Sequence, residues 1–275
     1  MELEFLKLSG AGNDFIVFDN RKGVVPEVGR RELFIDWCRR GMSIGADGLL
    51  LVEDADGGSG ADFRMRYYNA DGGEAETCGN GSRCIAQFAY LKGIAPRQMT
   101  FQTLAGDYRA EVLENGEVRV EMSDAVDLRE DVEIDDPVLR GRVDFLNTGV
   151  PHVVVTVEDL EGAPVVPAGR MLRYHEAFAP AGTNANFVKV TGAQSLQVRT
   201  YERGVEDETL ACGTGCIASS IQCVRRGRVT APVRVTTAGG EVLTIDFRLT
   251  DDGAAGVSLQ GSARVVFRGY VEVGA

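Results

Sequence analysis

The same short element occurs twice in this chain, and the repeat constrains the fold more than any other feature. Thr77-Cys78-Gly79-Asn80-Gly81 and Ala211-Cys212-Gly213-Thr214-Gly215 each place a cysteine in a Cys-Gly-x-Gly turn. Each turn is followed by apolar residues at helical spacing: Ile85, Phe88, Ala89 and Leu91 after the first, Ile217, Ile221 and Val224 after the second. Lys92-Gly93 and Arg225-Arg226-Gly227 supply the stops. The cysteines are 134 residues apart (212 minus 78), close to half of the 275-residue chain. Gly12-Asn13-Asp14-Phe15-Ile16-Val17 is echoed by Gly149-Val150-Pro151-His152-Val153-Val154, and Ile44-Gly45-Ala46-Asp47 more weakly by Thr183-Asn184-Ala185-Asn186. Three landmarks in one order imply an internal duplication and two similar domains related by a pseudo-twofold axis.

Each cysteine is predicted at a helix N-terminus. There the unpaired N–H groups and the positive end of the macrodipole favour a thiolate, the glycines clear the approach, and the same N–H groups can hold a carboxylate. Two equivalent thiols on opposite walls of one cleft suit the inversion of a carbon stereocentre: one removes a proton and the other returns one. An α-amino acid fits this arrangement, because its carboxylate can lie between the two helix starts while charge builds at Cα.

The chain resembles the diaminopimelate epimerases, and the resemblance runs from Gly10-Ala11-Gly12-Asn13-Asp14-Phe15 to the C-terminal strand. It includes Gly45-Ala46-Asp47-Gly48, Asn69-Ala70-Asp71-Gly72, Cys78-Gly79-Asn80-Gly81-Ser82-Arg83-Cys84, Asn184-Ala185 and Tyr201-Glu202-Arg203-Gly204. It implies conversion of LL-diaminopimelate to the meso form without pyridoxal phosphate or metal, in lysine and peptidoglycan precursor synthesis, with Cys78 and Cys212 as acid and base. It also implies that Gly79, Asn80, Gly213 and Thr214 hold the carboxylate at the reacting Cα, and that Asn13, Asn69, Asn184 and Arg203 hold the far end. Glu202 and His152 take supporting roles beside the thiols, with Glu202 also among the substrate-binding residues. The implied fold is α+β: two pseudo-symmetric domains, each a strongly curved, mainly antiparallel sheet around a central helix, with the active site between them. The implied domains are 1–122 with 262–275, and 123–261. A homodimer is compatible with the family. One departure stands out, since Val150 occupies the position where relatives often carry an asparagine that touches substrate.

Composition narrows the classes further. A net charge of −12, with no basic block longer than short pairs such as Arg225-Arg226, argues against nucleic acid as a partner. The sequence has no apolar run long enough for a membrane span and no signal-peptide pattern at Met1-Glu2-Leu3-Glu4-Phe5, which predicts a cytoplasmic protein. Six cysteines read as thiols in a reducing compartment, with Cys38, Cys84, Cys216 and Cys223 as buried small hydrophobes. Strands are predicted at 3–8, 15–18, 49–53, 63–68, 108–113, 118–122, 152–157, 187–190, 196–201, 233–237, 242–247, 256–259 and 265–273. A further helix is predicted at 30–40, and exposed turns at 55–60 and 250–256. Two other readings compete with the epimerase. One is a racemase of the same fold acting on proline, hydroxyproline or histidine. The other is a non-enzymatic thiol protein that binds metal or senses oxidation; the Cys78-x5-Cys84 and Cys212-x3-Cys216 spacings, unlike the usual Cys-x2-Cys, argue against a zinc site.

Overall fold

The computed structural model describes residues 1–75 and 78–273, so Thr77 of the first repeated element lies outside the described residues. The chain divides into two compact units: Met1–Val120 together with the chain from Gly261 onward, and Glu121–Gln260.

In the first unit, β1 (Glu2–Gly10) and β2 (Asn13–Asp19) form an antiparallel hairpin closed by Ala11 and Gly12, with φ of 57° and 106°. Positive φ at both loop residues matches the right-handed twist of the strands, which is why a glycine stands there. Next come α1 (Arg30–Cys38), β3 (Gly48–Glu53), β4 (Phe63–Asn69), the short β5 (Glu74–Ala75), α2 (Gly79–Leu91), β6 (Gln98–Thr103), β7 (Gly106–Val112) and β8 (Val118–Glu121). The ladder runs through β1, β2, β3, β4, β6, β7 and β8; β2 with β3 and β4 with β6 are parallel, and the other pairs are antiparallel. The chain returns to pair β18 (Arg264–Glu272) with β1. Phe34 and Trp37 of α1 pack with Phe18, Leu49 and Leu51 on one face of this sheet, while α2 meets β1, β2, β3 and β7 and buries Ile85, Phe88 and Ala89. Each such large apolar side chain removed from water contributes about 1.5–3 kcal/mol.

The second unit repeats the plan. It contains β9 (Val126–Asp135), β10 (Arg140–Asn147), β11 (Pro151–Thr156), α3 (Val165–Tyr174), β12 (Asn184–Gly192), β13 (Ser195–Glu202), β14 (Asp207–Thr209), α4 (Gly213–Arg225), β15 (Val233–Thr236), β16 (Val242–Thr250) and β17 (Gly253–Gly261). Again the second and third core strands, β11 and β12, are parallel, β12 and β13 antiparallel, and β13 and β15 parallel. The two central helices each have 13 residues. Each is followed by a glycine in the left-handed region, Gly93 at 65° and Gly227 at 67°.

The mixed α+β architecture with a central helix in each unit agrees with the sequence reading, and several elements correct it. β6, β9, β10 and α3 were not predicted; α3 buries Val165, Ala168 and Leu172 against the second sheet. The predicted turn at 250–256 is confined to Asp251 and Asp252, and Gly253 and Ala254 are buried in β17. The weak echo of 44–47 in 183–186 is out of register. Phe15 pairs with Gly48 as His152 pairs with Asn184, so Asn184 is the counterpart of Gly48. Among the described residues, no helix is long and apolar enough to cross a membrane.

Candidate active site

Cys78 is the N-cap of α2, in extended conformation with φ −148° and ψ 120°, and its carbonyl accepts the N–H of Ser82 at 2.7 Å. Its side chain is half-buried. Beside it, Asn80 donates from Nδ2 to Asn13 Oδ1 at 2.7 Å, and Asn13 donates from Nδ2 to Asp47 Oδ2 at 3.1 Å. Arg83, fully buried one turn into α2, donates to Asn80 Oδ1 at 2.8 Å and to the carbonyls of Gly79 and Ser262 at 3.4 Å each. Behind Asn13 lies a charged cluster. Arg40 donates to both oxygens of Asp14 and to Asp47 Oδ1 at 2.8 Å, and the buried Lys7 lies 3.0 Å from Asp14 and donates to the Gly45 carbonyl. Burial works to raise Asp14, but the hydrogen bonds from Arg40 and Lys7 hold its carboxyl below its ordinary value. Asn69 stands exposed at the end of β4, opposite Gly48.

Cys212 caps α4 in the same way, with φ −123° and ψ 106°, and its carbonyl accepts the N–H of Cys216 at 2.9 Å. Its side chain is buried, with Sγ 3.4 Å from the Thr214 hydroxyl. Thr148 donates from its hydroxyl to the Thr214 carbonyl at 3.3 Å, tying the helix start to the loop before β11. Burial pushes the Cys212 thiol well above its ordinary range, and the Glu202 carboxylate adds to the effect; the Thr214 hydroxyl offsets part of it. Desolvation at Cys212 therefore works against the thiolate that its helix N-terminus favours. Glu202 is itself raised by burial.

β13 ends at Glu202, and Arg203-Gly204 turns away with Gly204 at φ 93°, which separates two neighbours that a continued strand would send to opposite faces. The buried Asn184 holds this turn: its Oδ1 accepts the Arg203 N–H at 2.7 Å while its Nδ2 donates to the Pro151 carbonyl at 3.1 Å. Arg203 donates from Nη1 to the Ala181 carbonyl at 3.0 Å. His152 is fully buried, and burial, aided by the Arg203 charge, pushes its pKa down to about 3. Its Nδ1 lies 3.1 Å from Asn186 Nδ2.

The first unit thus gathers Asn13, Gly79 and Asn80 at Cys78, and the second gathers Gly213, Thr214 and Glu202 at Cys212, with Asn184, His152 and Arg203 linked to one another. The diaminopimelate epimerase family model matches residues 5–128 and 145–266. The chain belongs to the diaminopimelate epimerase family. It is 45% identical to the diaminopimelate epimerase of Aquifex aeolicus, with 97% of each chain covered. It is 40% identical to that of Archaeoglobus fulgidus, over 99% of this chain and 98% of the other. The fold is also that of a hydroxyproline epimerase from Agrobacterium vitis bound to trans-4-hydroxy-L-proline, with TM-score 0.70 and 17% identity, covering 98% of this chain and 92% of that one. A Bacillus anthracis phenazine biosynthesis protein of the PhzF family shares it at TM-score 0.73 and 14% identity, over 99% and 100%.

Within this epimerase family frame, sequence reasoning missed Thr148, Asn186 and the Lys7–Arg40 cluster. One signal was available for Asn186. Asn184 and Asn186 sit at i and i+2 at the start of a strand that continues Phe187-Val188, so two amides share one face of a buried strand. Buried amides at that spacing need partners.

Proposed function

We propose that this chain epimerises LL-diaminopimelate to the meso isomer by proton transfer between Cys78, Cys212 and the substrate Cα. The observation that carries the reading is that each cysteine caps a 13-residue helix in units of repeated topology. The family membership supports the substrate. Burial and Glu202 favour the thiol form of Cys212, and the two cysteines serve as the acid and the base. The Cα–H bond breaks with its proton passing to the thiolate of one cysteine, and the S–H of the other delivers a proton to the opposite face of Cα. The charge held meanwhile on the substrate carboxylate is met by first-turn N–H groups of α2 and α4. The two thiols exchange roles in the reverse direction. Asn13, Asn69, Asn184 and Arg203 hold the distal amino-acid centre in this proposal, with the cytoplasm as its compartment and a homodimer as its assembly.

A racemase of a cyclic amino acid is the competing activity; the hydroxyproline epimerase supports it through fold alone. Incubation with LL-diaminopimelate in deuterium oxide separates the two. Meso product carrying one deuterium at the inverted centre is expected. A folded, reduced sample that gives neither inversion nor exchange with diaminopimelate, but racemises proline or hydroxyproline, would refute the substrate assignment.

A further inference from the structure

The buried amide of Asn186 lies directly behind His152, and its orientation is fixed by its neighbours. One end lies 2.8 Å from the Val153 carbonyl, which can only accept, so that end is the NH2 group. The other end accepts the Thr200 hydroxyl at 3.0 Å. The same NH2 lies 3.1 Å from His152 Nδ1, so Nδ1 must present its lone pair. A neutral imidazole with an acceptor at Nδ1 carries its hydrogen on Nε2. His152 is fully buried, and Nε2 has no hydrogen-bond partner among the described residues. Buried donors in native proteins are almost always paired, so this one calls for an acceptor that its neighbours in the chain do not supply.

We propose that Asn186 is a positioning residue that locks His152 as the Nε2–H tautomer, making it a fixed neutral donor to a carboxylate oxygen of the substrate. The Arg203 guanidinium is the nearby cation whose charge acts on the imidazole. A neutral donor beside a cation suits one carboxylate, and burial keeps the imidazole uncharged. His152 in this role moves no proton. The identity of the ligand rests on the epimerase reading; the tautomer does not.

The chain has two histidines, His152 and His175, so nitrogen-15 histidine labelling gives two imidazoles, assigned with His175→Gln. The wild-type protein at neutral pH should show His152 with a protonated Nε2 and an unprotonated Nδ1, and saturating diaminopimelate should shift the Nε2 resonance. Asn186→Asp replaces the donor with an acceptor of the same shape, so the tautomer should reverse. KM should then rise about tenfold with kcat nearly unchanged, the mark of an interaction equal in ground and transition states. If that variant does not fold, Asn186→Ala should give a mixture of tautomers and a smaller rise in KM. An Nδ1–H tautomer in the wild type, an Nε2 resonance unmoved by a ligand whose binding calorimetry confirms, or a reversed tautomer with unchanged KM would each overturn the proposal. A failure of diaminopimelate to bind at all, with the Nε2–H tautomer intact, would instead strike the substrate assignment.

Discussion

Adding one methyl group at each of two equivalent glycines should have opposite effects. Gly81 and Gly215 each stand three residues after the helix-capping cysteine. A Cβ at Gly81 would meet Leu50 Cδ2 at 3.4 Å, Cys78 Cβ at 3.5 Å and Met65 Cε at 3.6 Å, all ordinary contacts. A Cβ at Gly215 would lie well inside the contact distance of Asn186 Oδ1, 3.2 Å from Asn186 Cγ and 3.4 Å from Cys212 Cβ. Asn186 cannot retreat cheaply, since it is bonded to the Val153 carbonyl, the Thr200 hydroxyl and His152. Overpacking costs about 1–3 kcal/mol, and a buried polar group stripped of its partner about 1–3 kcal/mol more. The gain in helix propensity from glycine to alanine returns at most about 1 kcal/mol. Gly215→Ala should therefore lose about 2–3 kcal/mol, a Tm drop of about 5–10 °C for a chain of this size, whereas Gly81→Ala should hold or slightly raise stability. Urea unfolding followed by circular dichroism, with melting curves as a check, measures both. Equal stability of the two variants would refute the claim that Asn186 is wedged against the start of α4.

Iodoacetamide at neutral pH should modify the half-buried Cys78 ahead of Cys212 and Cys38. Burial holds Cys212 up and pushes Cys38 to about 12, so peptide mass spectrometry showing equal labelling would contradict the assignment. Glu202→Gln should lower the Cys212 thiol pKa by removing a neighbouring charge, shifting its alkylation profile toward lower pH; an unmoved profile would separate Glu202 from Cys212. His152 has an ordinary value of 6.5 and a folded value near 3, so the unfolded chain binds its proton first on acidification. Its contribution is whole above pH 6.5 and is lost as pH falls toward 3, at up to about 1.4 kcal/mol per pH unit. His152→Gln should accordingly lose less stability than the wild type between pH 7 and pH 5 in urea titrations, and parallel losses would be the refuting result.

The parts of this structure legible in the sequence are those that sequence-local rules govern. The cysteine caps, the helices behind them and the glycine stops are written in consecutive residues, and the structure places them as read. β9 escaped because charged residues fill six of its ten positions and interrupt the alternation of Val126, Leu128, Val132 and Ile134 at Glu130, and only Ile134 is fully buried. α3 escaped because Pro167 and Gly169 interrupt a helix that exists through packing of Val165, Ala168 and Leu172 on the second sheet. The thiol electrostatics were illegible for a different reason. A helix N-terminus is local, but the burial of Cys212 and the approach of Glu202 depend on how the strands β13 and β14 fold back near α4.

That difference explains how a duplicated scaffold yields two unequal thiols. Ladder registers make Gly48 and Asn69 in the first unit the counterparts of Asn184 and Glu202 in the second. Where the first unit has a glycine and an exposed amide, the second has a buried amide that clamps a turn and a half-buried carboxylate that acts on the sulfur. One turn into each helix, fully buried Arg83 in α2 is answered by apolar Ile217 in α4. The backbone gives both cysteines the same cap and the same N–H groups, so their common geometry follows from duplication. Their surroundings differ through substitutions at positions the duplication left equivalent. In the proposed epimerisation the shared cap suits either sulfur to act as base or acid in turn, while burial and the Glu202 carboxylate at Cys212 favour its thiol form.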